Sequence, residues 1–201
     1  LSGNEVFTSA SIGITLSSFN YERPEDLLRD ADIAMYRAKA TGKARYEVFN
    51  TTMHTRAAAL LQLETDLRRG LERREFQLYY QPIVSLKTSA ITGFEALIRW
   101  QHPQRGLVSP AEFIPVAEET GLIVPIGWWV LREACRQLSA WKIQFPEYQS
   151  LVMSINLSAK QFTQTNLVEE ITEILRETNV PAQSLKLEIT ESVIMDNAEI
   201  A

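Results

Sequence analysis

Four segments of the chain alternate apolar and polar residues with the period of two that is typical of strands. They span residues 76–86, 91–100, 150–158 and 185–191. Helical patterns lie between the later strands, and two of them begin with a capping sequence, Ser109-Pro-Ala-Glu112 and Ser158-Ala-Lys-Gln161. This order of elements predicts an α/β fold whose strands form a parallel sheet or barrel.

The two faces of these strands differ in chemistry. Because side chains alternate across a strand, each strand divides into two sets. One set is apolar and must pack under helices: Phe76, Leu78, Tyr80, Phe94, Ala96, Ile98, Trp100, Met153, Ile155, Leu157, Leu185, Leu187 and Ile189. The other set is largely polar: Gln77, Tyr79, Gln81, Glu95, Leu97, Arg99, Ser154, Asn156, Ser158, Lys186, Glu188 and Thr190. Branched aliphatic residues fill an ordinary barrel interior, so this polar face predicts a functional site.

Three oxygen-bearing side chains of the polar face suit a metal ion. An unpaired buried carboxylate costs several kcal/mol, so these groups must meet cations, metals or water. Glu95, Asn156 and Glu188 offer two carboxylates and an amide carbonyl, the hard donors that Mg²⁺ or Mn²⁺ prefers. The absence of a Cys or His cluster argues against structural zinc. Arg99 on the same face suits an anionic ligand such as phosphate.

A buried ion network is the alternative for these residues. In that arrangement Arg99 pairs with Glu95 and Lys186 pairs with Glu188. For a single pair, a buried ion network is the favoured interpretation. Four strands with the same polar face near their carboxyl ends instead favour a functional site.

The region before residue 76 has a different pattern. Residues 6–16 alternate as a strand, and Gly13 there allows close packing. Pro24 begins a helix that Gly42 ends, and residues 46–49 predict a short strand. From about Thr52 to Arg74 a long polar helix follows with a narrow leucine stripe, which predicts a connecting helix rather than a dimeric coil.

Composition excludes several classes of partner. The net charge is −5 and the isoelectric point is near 5.2, so the chain lacks the Lys/Arg excess of proteins that bind DNA or RNA polymers. No run of about 18 apolar residues predicts a membrane span, and we expect no membrane contact from this chain. The single cysteine, Cys135, cannot form an internal disulfide and favours the cytoplasm.

The segment Glu95-Ala-Leu97 and several others resemble the motifs of a known family. Matching blocks in family order are Tyr80-Gln-Pro-Ile-Val84, Gly93-Phe-Glu-Ala-Leu-Ile-Arg-Trp100, Pro110-Ala-Glu-Phe-Ile-Pro115, Glu118-Glu-Thr-Gly121, Ser154-Ile-Asn-Leu-Ser158 and Glu188-Ile-Thr-Glu191. Together they resemble the EAL family of bacterial cyclic-di-GMP phosphodiesterases. The resemblance implies a TIM-like barrel, here partial, that hydrolyses cyclic-di-GMP to pGpG.

The resemblance also assigns roles by position. It implies that Glu95, Asn156 and Glu188 hold Mg²⁺ or Mn²⁺, and that Glu191 helps to order a loop over the site. Gln81, Leu97 and Arg99 match positions that contact the dinucleotide. Family behaviour further implies a homodimer through the EAL domain. The alternative is a degenerate EAL domain that acts as a cyclic-di-GMP receptor or protein-interaction module.

Residues 1 to about 50 resemble the C-terminal end of a GGDEF domain. Ser11-Ile-Gly-Ile14 and Ala31-Asp-Ile-Ala-Met-Tyr-Arg-Ala-Lys39, followed by Gly42-Lys43, carry this resemblance. We therefore expect a GGDEF end over residues 1–50, a linker helix over 51–74 and the first half of an EAL domain over 75–201. Further family ligands lie on later strands, so we expect this chain alone to be inactive. His54 and His102 are isolated in the sequence, and we interpret them as surface or capping residues and not as ligands or bases.

Overall fold

The computed structural model describes residues 8–19 and 21–189, which divide into two compact units, residues 1–62 and 63–201. Both combine helices with strands, which confirms the α/β class. In the described ranges, no helix has the length and apolar content that crossing a membrane requires.

The first unit is a small β–α–β arrangement. Strand β1 (Ile12–Ile14) pairs in parallel with β2 (Tyr46–Val48), and helix α1 (Pro24–Ala40) connects them. Helix α2 (Thr51–Glu72) begins in this unit and continues into the second one. Gly13 packs against α1 as predicted, because a Cβ there would lie 1.9 Å from the carbonyl oxygen of Ala31.

Residues 8–11 are not part of a strand, so the prediction for residues 6–16 was too long in its described part. Alternating small polar residues indicate extended backbone, but in this segment only Ile12–Ile14, the residues of β1, pair with another strand, which is β2.

The second unit is built on a five-stranded sheet. Its strands are β3 (Phe76–Val84), β4 (Ile91–His102), β5 (Gly106–Val108), β6 (Val152–Asn156) and β7 (Leu185–Glu188). Its helices are α3 (Pro110–Thr120), α4 (Ile123–Gln144), α5 (Ala159–Phe162) and α6 (Leu167–Thr178). The sheet order is β3-β4-β6-β7, and β5 pairs with the end of β4. Short 3₁₀ turns occupy Ser17–Phe19, Pro146–Tyr148 and Ala182–Ser184.

The first two strands of this sheet do not follow the predicted parallel pattern. β4 is parallel to β6, and β6 to β7, but β3 is antiparallel to β4. Only a short turn connects β3 with β4, closed by the bond from Ser85 N to the oxygen of Ala90 at 2.9 Å. A parallel crossover needs a dozen or more residues, so this connection permits only a hairpin.

The apolar face of the sheet forms the core of the unit, as the alternation predicted. Trp100, Met153 and Ile155 are at most 1% exposed. Helix α4 covers this face, with Leu131, Ala134 and Leu138 among its buried residues. Burial on one face leaves the other face for polar side chains.

The two predicted capping boxes have different outcomes. Ser158 caps α5 with both reciprocal hydrogen bonds to Gln161, which confirms that box. Ser109 precedes α3 but makes no side-chain capping bond, so that box was wrong. Glu112, its expected partner, instead pairs with Arg105. Pro110 at the first helical position already lacks an N–H, which leaves fewer donors to cap.

Gly93 is the point of closest approach between β4 and β6. It lies opposite Val152 in the parallel register, and a Cβ there would be 2.3 Å from the carbonyl oxygen of Val152. Only a residue without a side chain allows this pairing at its present distance.

We predict that Gly93→Ala destabilises the protein by about 1–3 kcal/mol, the usual cost of forcing extra atoms into a packed region. Thermal unfolding of the whole protein measures this. Thr92→Ala, at the exposed neighbouring position of β4, is the matched control and should change the midpoint little. Equal midpoints for the two variants would contradict the role assigned to Gly93.

Candidate active site

Strand register brings the predicted polar residues into rows across one face of the sheet. Gln81 of β3 lies opposite Glu95 of β4, and Glu95 lies opposite Ser154 of β6. Asn156 is the next residue of β6 on the same face after Ser154, and it lies opposite Glu188 of β7. Three strands thus place two carboxylates and an amide on neighbouring positions of the same face.

Glu95 and Asn156 are in direct contact. The Nδ2 group of Asn156 donates a hydrogen bond of 2.8 Å to Oε1 of Glu95. Asn156 is exposed and Glu95 is half-buried, so ligands can approach this pair from solvent. An amide carries both donors and an acceptor oxygen, so rotation of the Asn156 amide presents its oxygen to a cation beside Glu95.

Glu188 is held by two neighbours of the polar face. Lys186 donates from Nζ to Oε1 of Glu188 at 3.0 Å. This hydrogen bond is the largest influence on the Glu188 carboxyl and lowers its pKa, partial burial opposes it, and a hydrogen bond with Ser154 lowers the pKa further. The carboxylate is therefore kept ionised, the form that ligates a metal.

The alternative of an ion network holds for one of its two pairs. Lys186 does pair with Glu188. Arg99 does not pair with Glu95 but donates from Nη1 to the carbonyl oxygen of Ile98 at 2.8 Å. Its guanidinium carbon lies 5.2 Å from the centre of the Tyr79 ring. With respect to the residues that the structure describes, the positive charge of Arg99 therefore remains available to an anion.

A cavity of about 580 Å³ lies beside residues 96–99 of β4 and the carboxyl end of β6. Leu97, Arg99 and Asn156 line it together with Glu118. Its other lining side chains are mainly apolar: Phe113, Ile114, Ile123, Ile126 and Val130. Glu95, Glu188 and Gln81 do not line this cavity, so the predicted site residues divide between the cavity and the open face of the sheet beside it.

The donor set fits part of a metal site. In residues 8–19 and 21–189, no group of three or more His, Cys, Asp or Glu side chains is arranged to hold a metal ion. Two carboxylates and one amide are nevertheless hard oxygen donors, and Mg²⁺ commonly keeps several water ligands beside one or two carboxylates. Glu95, Asn156 and Glu188 therefore fit a divalent cation with an incomplete protein shell. Glu191, which the resemblance assigns to ordering a loop over the site, lies outside the described residues.

Three contributors to this region were not predicted as site residues. Ser154 is 1% exposed and bonds to Glu188, and Tyr79 lies under Arg99. The alternation placed both on the polar face, but their contacts depend on the cross-strand register. Glu118 of α3 is exposed and also lines the cavity.

Comparison with known families gives two matches. Residues 64–201 match the EAL domain, and residues 1–45 match the diguanylate cyclase GGDEF domain. Similar curated proteins include the bifunctional diguanylate cyclase/cyclic di-GMP phosphodiesterase MucR of Pseudomonas aeruginosa, 44% identical over 99% of this chain and 29% of its own length. The cyclic di-GMP phosphodiesterase PdeR of Escherichia coli is 38% identical over 98% of this chain and 29% of its own length. The chain thus spans under a third of these relatives.

Solved structures show the same fold. The MucR phosphodiesterase in complex with c-di-GMP superposes with a TM-score of 0.65 at 46% identity, covering 69% of this chain and 55% of that one. An EAL enzyme bound to cAMP and cyclic-di-GMP gives a TM-score of 0.70 at 32% identity, covering 92% of this chain and 48% of that one. The second unit is therefore part of a TIM-like barrel, as predicted.

We predict that Lys186→Met raises the pKa of Glu188 toward that of an ordinary glutamate, because the main hydrogen bond to its carboxylate is lost. The contact stabilises the folded state at pH values above the pKa that Glu188 has in the unfolded chain. This stabilisation is lost as the pH falls through the lowered pKa of Glu188 in the folded state. The two side chains are 63% and 35% exposed, so solvent screening keeps the change in stability small.

Titration of the Glu188 carboxyl carbon by NMR measures this shift. Lys87→Met, at an exposed position in the turn after β3, is the matched control. A Glu188 pKa that is the same in both variants would show that Lys186 does not hold the carboxylate.

Proposed function

The chain belongs to the EAL domain family, with the end of a GGDEF domain before it, and from this we propose that the whole protein hydrolyses cyclic-di-GMP to linear pGpG. The observation that carries the proposal is the contact between Glu95 and Asn156 across β4 and β6, with Glu188 opposite Asn156 on β7. MucR and PdeR, which carry phosphodiesterase names, support it.

We assign the cation to Glu95, Asn156 and Glu188, with Mg²⁺ or Mn²⁺ as the ion. Such an ion supplies activation of water and neutralisation of phosphate charge in phosphodiester hydrolysis. Lys186 keeps the Glu188 carboxylate ionised, and a cation bound to the same carboxylate would repel its ammonium group and weaken this contact. The Asn156 amide must likewise rotate, because its Nδ2 group now donates to Glu95 and its oxygen is the atom that ligates a cation.

Substrate binding is assigned to the cavity and the polar face beside it. Arg99 supplies a positive charge for a phosphate, and the Tyr79 ring under its guanidinium restricts the orientation of that group. Leu97 offers an apolar contact within the same cavity. Gln81, opposite Glu95 and exposed, offers an amide to the ligand. Glu191 keeps its proposed role in ordering a loop over the site.

The remaining expectations about the whole protein stay proposals. We propose a homodimer through the EAL domain, and a linker over residues 51–74 that separates the GGDEF end from the EAL part. We also propose a cytoplasmic location, since Cys135 is a buried free cysteine and not part of a disulfide.

We predict that Glu95→Gln lowers phosphodiesterase activity by roughly 100-fold or more, since even outer residues of metal sites contribute 10–100-fold. Release of pGpG from cyclic-di-GMP by the whole protein with Mg²⁺ is the measurement. Glu169→Gln, an exposed glutamate of α6, is the matched control and should retain activity. Binding of cyclic-di-GMP without release of pGpG by the unmodified protein would instead identify a receptor.

A second prediction locates the cation without relying on activity. Asn156→Asp places a carboxylate 2.8 Å from that of Glu95, so the protein without metal should unfold at a lower temperature. Mg²⁺ should then raise the unfolding temperature more in this variant than in the unmodified protein, because the site gains an anionic ligand.

Asn166→Asp is the matched control for this experiment. Asn166 also donates to a glutamate, Glu170, at 3.2 Å, but it lies at the start of α6 away from the polar face. Its variant also gains a carboxylate beside a glutamate, but it should show no added response to Mg²⁺. An equal response of both variants would argue against a cation at Glu95 and Asn156.

A further inference from the structure

His102, the last residue of β4, is buried and fully engaged in contacts. It is 6% exposed, and its ring meets that of Trp100 edge to face at 5.2 Å between centroids. Nδ1 accepts hydrogen bonds from the backbone N–H groups of Gln104 and Arg105, both at 3.1 Å. These two bonds hold the turn that leads from β4 into β5.

The contacts of Nδ1 fix the state of the other ring nitrogen. A nitrogen that accepts two hydrogen bonds carries no hydrogen, so the hydrogen of a neutral His102 must be on Nε2. Nε2 lies 3.4 Å from Oδ2 of Asp66, a residue of α2 whose side chain is 15% exposed. His102 therefore joins the turn after β4 to the helix α2, using one nitrogen for each.

The same end of β4 also contacts Gly70 of α2 and Glu75, which lies between α2 and β3. The indole nitrogen of Trp100 donates to Oε2 of Glu75 at 3.1 Å, and the N–H of Gln101 donates to the carbonyl oxygen of Glu75 at 2.9 Å. Gly70 of α2 lies against Trp100, where a Cβ would be 3.0 Å from the indole nitrogen. Residues 100, 101 and 102 of β4 thus each make a contact with residues 66–75.

Arg99 immediately precedes these three anchored residues. Its side chain is on the opposite face of β4 from those of Trp100 and His102, and neither of those two residues lines the cavity. The backbone position of Arg99 is nevertheless set on one side by its pairing with Gln77 and on the other by the anchored residues. Movement of the end of β4 would therefore displace the guanidinium from Tyr79 and from the cavity.

We propose that His102 and Asp66 form a positioning pair that sets the orientation of Arg99 for the phosphate of the dinucleotide. The proposal rests on the proposed function, because it takes Arg99 to be a ligand-binding residue. Neither His102 nor Asp66 contacts substrate; they act through the end of β4.

The experiment is a double-mutant cycle on binding of cyclic-di-GMP to the whole protein, measured by calorimetry without divalent metal so that no ligand is hydrolysed. His102→Asn keeps an acceptor oxygen for the N–H groups of Gln104 and Arg105 but cannot reach Asp66. We expect it to weaken binding about 10-fold, within the range of couplings between neighbouring residues. In an Arg99→Met background the same change should weaken binding less than about twofold. A purely structural role would weaken binding by the same factor in both backgrounds, which would overturn the proposal.

Asp66 supplies a second, matched pair of variants. Asp66→Asn keeps an oxygen that accepts from Nε2 and should bind nearly as well as the unmodified protein, whereas Asp66→Ala should weaken binding as His102→Asn does. These two variants at residue 66 also test the proposal if the His102→Asn protein does not fold. Equal affinities for the Asn and Ala variants at residue 66 would contradict the proposal.

A third readout separates this proposal from the proposed function. In protein labelled with ¹⁵N-arginine and without ligand, His102→Asn should shift the Nε–Hε resonance of Arg99, because the guanidinium moves relative to the Tyr79 ring. If the unmodified protein does not bind cyclic-di-GMP, the proposed function fails and this resonance decides the proposal alone. An unchanged resonance overturns the positioning role in either case.

Discussion

The parallel pairing of β4 with β6 is the constraint on which the candidate site depends. Gly93 allows the two backbones to approach, and the register that follows places Glu95 beside Asn156. A slip of one residue would turn every side chain of a strand to the other face and move Glu95 into the apolar core. The burial of Trp100 and Met153 in the apolar core therefore also secures the polar face, because it fixes which residues point inward.

The polar face is stable without a cation because each carboxylate already has a partner. Glu95 accepts from Asn156, and Glu188 accepts from Lys186. Both partners are exposed, so breaking either contact returns a polar group to water at little cost. A fully buried pair would resist exchange far more strongly, since separating it leaves an uncompensated charge. Partial exposure is thus what allows the same carboxylates to be satisfied alone and to accept a cation.

Alternation of residue type was enough to predict the two faces of the sheet. Glu95, Asn156 and Glu188 were placed on one face because a period of two leaves no other arrangement. The antiparallel β3 was not predicted, because a strand has the same pattern in either direction. His102 was interpreted as a lone residue for a related reason. Asp66 is 36 positions earlier in the chain, and only the packing of α2 on the end of β4 brings the two together.

β4 is the strand through which these contacts act on one another. It pairs with β3, β5 and β6, so it is held along both edges for much of its length. Glu95 and Arg99 lie on one face of it, and Trp100 and His102 lie on the other at its carboxyl end. A strand held in this way transmits a displacement at one end to the residues beside it, because packed interiors do not deform gradually. The guanidinium of Arg99 is more sensitive to such a displacement than Glu95 is, since Arg99 adjoins the anchored residues whereas Glu95 lies in the segment that β6 holds.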